Sequence, residues 1–151
     1  MQKIHWSEQY SVGVQSLDEQ HKNFIDMVNG LMDDVQAEAE LAVVADTLSR
    51  MKQHANEHFF MEERLMKLFQ YPGIENHRIE HQLFIKKIVD SSIGETFYCG
   101  IEPRELMRYL HDWWHNHILY EDMKFKPYMA GRSVPHFVAT VFHEDGSPHN
   151  D

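Results

Sequence analysis

The sequence has a single cysteine, Cys99, among 151 residues. An internal disulfide is excluded, and the chain suits a reducing compartment. Positive charge is also scarce. Fourteen lysines and arginines stand against 24 aspartates and glutamates, a formal net charge of −10. Nucleic acid and anionic membrane surfaces both select basic patches, so neither fits as a partner. No apolar run approaches the roughly 20 residues that a membrane-spanning helix needs. The opening Met1-Gln2-Lys3-Ile4-His5-Trp6 lacks the apolar core of a secretory signal. A cytoplasmic protein is expected. Internal repeats and low-complexity tracts do not stand out.

What is present is an ordinary globular composition, 42% hydrophobic and 25% charged, at a length that suits one domain with a real core. Histidine is the exception. There are twelve, spread along the chain, and imidazole is the commonest side-chain metal ligand.

Apolar residues recur at spacings of three and four in four segments, which predicts helices over roughly 17–38, 41–70, 74–92 and 103–130. Tyr71-Pro72-Gly73 stops the second, Pro103 opens the fourth and Gly131 closes it. Short connections favour antiparallel neighbours. The expected fold is all-α, an up-down-up-down four-helix bundle spanning about residues 1–130. Residues 1–16 form an N-terminal arm to it. Residues 131–151 form a C-terminal extension, apolar and β-branched at first and then polar, to which no role is assigned.

The informative residues are polar ones inside the apolar stripes. His21 lies on the first stripe, His58 and Glu62 on the second, His77 and His81 on the third. Burying ionisable groups is costly unless they are paired or hold a metal. One stripe histidine is usually a hydrogen-bonded core residue, but five such groups on three helices are hard to explain that way. His58/Glu62 and His77/His81 are i,i+4 pairs, which lie on one helix face about 6 Å apart along the axis. Two such groups can share a metal or flank a pair of metals.

The fourth helix leaves a choice open. Measured from Trp114 on an α-helical wheel, His117 lies at about −60° and Asp122 at about +80°. Glu121, the i+4 partner of His117, sits nearer the middle of the stripe, so the wheel favours it. His54, one turn before His58, and the i,i+4 pair His111/His115 are further decoys that spacing alone does not exclude.

The residues around these positions resemble the hemerythrin family. Its pattern is one histidine in the first helix, H-x-x-x-E in the second, H-x-x-x-H in the third and H-x-x-x-x-D in the fourth. This chain offers His21, His58/Glu62, His77/His81 and His117/Asp122 at those spacings. The flanking Tyr10-Ser11-Val12-Gly13-Val14, Leu17-Asp18-Glu19-Gln20-His21 and Trp113-Trp114-His115-Asn116-His117 are also similar to it. Trp114, where leucine is expected, departs from the pattern. The likeness covers about residues 4–130.

The resemblance implies the ligand set and the function. It selects Asp122 over Glu121 and leaves His54, His111 and His115 aside. His77, His81 and His117 would hold one iron, and His21 and His58 the other. Glu62, Asp122 and an oxo or hydroxo group would bridge them. One position on the iron of His21 and His58 stays open for dioxygen. Phe24, Phe59, Phe84, Trp113, Trp114 and Ile118 are candidates for the apolar lining. The implied function is reversible dioxygen binding at a non-haem di-iron centre, for storage or for delivery to an oxygen-requiring enzyme. The implied protein is not itself an enzyme and is a monomer. The rivals are a ferritin-like di-iron oxidase or ferroxidase and a partner-dependent oxygen or redox sensor. The first uses Glu-x-x-His motifs, and the chain has none. A sensor normally needs a fused output, for which 151 residues leave no room.

Overall fold

A computed structural model describes residues 1–91 and 102–134. Cys99 and residues 135–151, most of the expected C-terminal extension, lie outside the described residues. The helices are α1 (Gln15–Gln36), α2 (Leu41–Leu68), α3 (Ile74–Ser91), α4 (Pro103–Asn116) and α5 (Met123–Met129). A six-residue π-helical segment, His117–Asp122, joins α4 to α5. The three pieces stand where one regular fourth helix was expected.

Each helix forms where the apolar spacing says it should. Leu17, Phe24, Val28 and Leu31 bury one face of α1, and Leu48, Met51, Ala55 and Leu65 one face of α2. The helix ends follow local chemistry. Asp18 in the first turn of α1 accepts from Val12 N at 2.9 Å and from Ser11 Oγ at 2.6 Å, so α1 starts at Gln15, two residues earlier than the pattern alone suggests. Pro103 fills the first turn of α4. Past α5, Gly131 takes a positive φ of 71°, a conformation that glycine adopts without steric cost.

Helix α1 packs against α2 and α4, and α2 against α3. The arm before α1 is docked. A 3-10 turn, Glu8–Tyr10, leads to buried Tyr10, Val12 and Val14, and Asn29 pins Ile4 through two hydrogen bonds. The core has two apolar parts. One is rich in aromatics and includes Phe24, Phe59, Phe84, Trp114 and Ile118. The other includes Leu17, Met61, Leu65, Met66, Phe125 and Met129. The buried polar residues of all four bundle elements belong to neither.

Candidate metal centre

The buried histidines and carboxylates of the described residues are His21, His58, Glu62, His77, His81, His117 and Asp122, none more than 2% exposed. They are the set that the resemblance implied, and no other described histidine, aspartate or glutamate joins them. Helix α1 brings His21, α2 brings His58 and Glu62, α3 brings His77 and His81, and the π segment brings His117 and Asp122.

The seven fall into two groups that share a member. Glu62, His77, His81 and His117 offer ligand atoms within 4.8 Å of one another, and so do His21, His58, Glu62 and Asp122. In the first group His117 Nε2 stands 3.1 Å from both His81 Nε2 and His77 Nε2. In the second, His21 Nε2 and His58 Nε2 are 3.2 Å apart. Asp122 reaches both groups. Its Oδ1 lies 3.2 Å from His77 Nε2 and 3.1 Å from His117 Nε2, and its Oδ2 lies 3.3 Å from His21 Nε2. Glu62 Oε2 is 3.1 Å from Nε2 of both His77 and His81, while its Oε1 accepts no hydrogen bond.

The far sides of three rings face acceptors. His58 Nδ1 donates to Gln20 Oε1 at 2.9 Å, His81 Nδ1 to Glu63 Oε1 at 2.8 Å and His117 Nδ1 to Glu80 Oε2 at 3.1 Å. Outward donation puts the ring proton on Nδ1 and turns the Nε2 lone pair inward. Inward lone pairs at such separations need a cation or a shared proton between them. Imidazole with carboxylate, and no thiolate, is a donor set that suits iron. The residues present therefore fit a pair of metal ions.

Without a metal, protons and carboxylates balance the site. Burial pushes the His77 imidazole down, but the Asp122 and Glu62 carboxylates close against it outweigh burial and raise the pKa to about 10. Burial also opposes the charge on His117, where Asp122 and Glu80 prevail and raise the pKa to about 9. His58 goes the other way, pushed down to about 3, chiefly by burial. Burial and the Asp122 charge push the Glu62 carboxyl up, yet hydrogen bonds from His77 and His81 with the charge on His58 hold it below the usual range. Burial likewise opposes ionisation of Asp122, and the neighbouring histidines, His117 first, hold it well below that range.

On the fourth helix the structure buries Asp122 among the histidines and leaves Glu121 outside. Glu121 points outward, with its side chain 28% exposed, and pairs with Lys124 at 2.7 Å. The physical reason is the π segment. Its i→i+5 hydrogen bonding widens the turn, so residues five apart share a face, as His117 and Asp122 do. An α-helical wheel has the wrong period there. The decoys have separate duties. His54 Nε2 meets Gln20 O at 2.9 Å, His111 pairs with Asp112, and His115 faces Tyr10 Oη. His5 is exposed, and His136, His143 and His149 lie outside the described residues.

Of the expected apolar lining, Phe24, Phe59, Phe84, Trp114 and Ile118 are buried and Trp113 is partly so. Phe59 lies flat on His81, 3.7 Å between centroids at 6°, and Trp113 on His117, 4.3 Å at 10°. The sequence pattern gives no sign of Gln20, Glu63 and Glu80. Each sits on one helix but holds an imidazole of the next, a contact that spacing within a helix does not report.

The family model described as "Hemerythrin HHE cation binding domain" matches residues 12–129. The chain belongs to the hemerythrin family. Among hemerythrin relatives, a bacteriohemerythrin of Pseudomonas paraeruginosa is 31% identical over 123 residues, 81% of this chain and 78% of that protein. A myohemerythrin of Theromyzon tessulatum is 26% identical, over 80% of this chain and 89% of its own. A crystal structure of wild-type hemerythrin superposes with a TM-score of 0.72 at 25% identity, covering 85% of this chain and 98% of that one. The hemerythrin neighbours agree with the four-helix bundle expected from the pattern. No described helix is long and apolar enough to cross a membrane.

Proposed function

We propose that this chain holds two iron ions and binds dioxygen reversibly, as a binding protein and not an enzyme. His77, His81 and His117 would hold one iron, His21 and His58 the other, with Glu62 and Asp122 joining them. When bound, two iron(II) ions would supply the two electrons that hold dioxygen and take them back on its release.

The chain's own residues do the rest. Three imidazoles would hold one metal and two the other, so the positions would be unequal and the His21/His58 side would be the one to accept a small ligand. Outward hydrogen bonds from His58, His81 and His117 fix ring orientation and keep Nε2 directed inward. Phe24, Phe59, Phe84 and Ile118 keep bulk water from the centre.

One observation carries the choice of carrier over oxidase. The buried carboxylates and histidines of the described residues are the seven candidate ligands, with none left over. A positioned acid or base beside the oxygen speeds oxidase chemistry, and no further buried histidine or carboxylate is at hand among the described residues. Storage, or delivery to an oxygen-requiring enzyme inside the cell, is the role that this site suits.

The test is the optical spectrum of the iron-loaded chain under argon, then air, then argon again. A charge-transfer band that grows in air and fades under argon, over repeated cycles and with about two irons per chain, is the expected result. Irreversible oxidation on first exposure, or steady oxygen consumption with an added reductant, overturns the carrier reading.

A further inference from the structure

Buried polar groups nearly always find a partner, and one that does not calls for an absent ligand or water. The buried side-chain nitrogens and oxygens without a hydrogen bond among the described residues are His21 Nδ1, Glu62 Oε1, His77 Nδ1, both Asp122 oxygens and Trp114 Nε1. All but the last belong to the candidate ligands. The indole N–H of Trp114 is a donor only, and it is 1% exposed.

The ring contacts of that indole put it beside two of the candidate ligands. One face is covered by Phe24, stacked at 4.2 Å and 18°. Edge-on to it stand His21, 5.3 Å between centroids, and His58 at 6.3 Å. These are the two imidazoles of the less crowded metal position. The packing about Trp114 is otherwise apolar, with Phe24, Ile118 and Leu110 in the same cluster. An unpaired donor there costs stability unless something at the two-imidazole side accepts from it. Leucine, the residue expected from the family pattern, packs but cannot donate.

The geometry points to Trp114 as the hydrogen-bond donor to whatever small ligand binds on the His21/His58 side. Its ligand class is a compact molecule or anion whose outer atom accepts a hydrogen bond, such as dioxygen or azide. The assignment rests on the di-iron reading above. Trp114 sets preference rather than chemistry. Ligands with an accepting outer atom are held longer than those without one.

The experiment uses the full chain loaded with iron(III) and azide as the probe. Azide affinity is read from absorbance, and the infrared stretch of bound azide is recorded in H2O and in D2O. In the native chain the stretch shifts in D2O, because the indole proton exchanges. Trp114→Phe keeps an aromatic plane against Phe24 but removes the N–H. It should bind azide about tenfold more weakly, the worth of one such hydrogen bond, and lose the deuterium shift. Loss of packing alone lowers the melting temperature but does not erase an isotope shift. Trp114→Leu, which also lacks the donor, replaces it if the phenylalanine variant fails to take up iron. A native stretch indifferent to D2O, or equal affinity and equal shift in the variant, overturns the assignment and leaves the dioxygen reading standing. Failure of azide to bind a native chain shown to hold two irons overturns both.

Discussion

On one side of Glu62 and Asp122 stand three imidazoles, His77, His81 and His117; on the other stand two, His21 and His58. The sides differ in their outer partners as well as in number. His81 and His117 lean on carboxylates, Glu63 and Glu80, whereas His58 leans on the neutral amide of Gln20. An anionic partner makes an imidazole more basic, and a neutral one leaves burial to decide. Against burial, the central carboxylates Asp122 and Glu62 raise His77 to about 10, and Asp122 with the outer Glu80 raises His117 to about 9, while burial lowers His58 to about 3. One side chain type thus gives two environments, set by what each ring touches on its far side and at its centre.

The largest effect should come from removing what the two sides share. Asp122→Ala takes away oxygens that face His77, His117 and His21 at once, so both metal positions should fail together. Replacing an outer partner costs 10–100-fold in metal affinity, and loss of a shared ligand should exceed about 100-fold. Glu121→Ala, one residue away, should retain iron. Elemental analysis after desalting separates them, and the reverse pattern would show that the π segment is misplaced.

A one-sided break comes next. His21→Ala removes one of two imidazoles on its side and none of the three on the other. Iron content should fall towards one per chain, and the band formed in air should vanish. A variant that keeps both irons and the band would erase the distinction between the sides.

Smaller still is a change in the outer partners. Glu63→Gln and Gln20→Ala should each weaken iron binding by about 10-fold or somewhat more, on opposite sides of the centre. Competition with a chelator, followed by the two-phase loss of iron, reports which side is affected. Equal loss from both phases in each variant would mean that the outer partners do not act locally.

The gentlest probe is pH on the metal-free chain. His77 and His117 have raised pKa values, so the stability they give is complete below about 6.5 and is lost as pH climbs towards their folded values near 9 and 10. His58 is depressed, so stability is lost on its account as pH falls from about 6.5 towards 3, where the unfolded chain takes the proton that the fold refuses. Glu62 and Asp122, both lowered, add to the acid loss below the ordinary carboxylate range. The melting temperature should peak near neutrality. His58→Gln should flatten the acid limb only. A single limb, or one unaffected by that change, breaks the comparison.

The bundle is legible in the sequence because α1, α2 and α3 keep one period, so that spacing alone assigns Leu17, His21, Phe24 and Val28 to one face. The same periodicity puts His58, Glu62, His77 and His81 inside. Asp122 is not legible that way, since the wheel assumes i→i+4 bonding and the π segment breaks it; the spacing of a known family carries that residue. Gln20, Glu63 and Glu80 are not legible at all. Each acts on the neighbouring helix, and nothing in one helix's own pattern records which side chain of the next will meet it. Trp114 is visible in the sequence only as a departure, and its lone N–H gains meaning from the neighbours that the fold brings to it.

Phe59 on His81 and Trp113 on His117 have a kinetic consequence. An imidazole with an aromatic plate against its face and a hydrogen bond at its rear cannot swing aside on its own. For the three-histidine side to let go of an ion, α2 would have to part from His81, and Trp113 and α3 from His117, first. Escape is then timed by openings of the bundle, events slower than side-chain rotation by many orders. An ion held on that side would be trapped as well as bound, and its residence time would follow the stability of the helices that bury it.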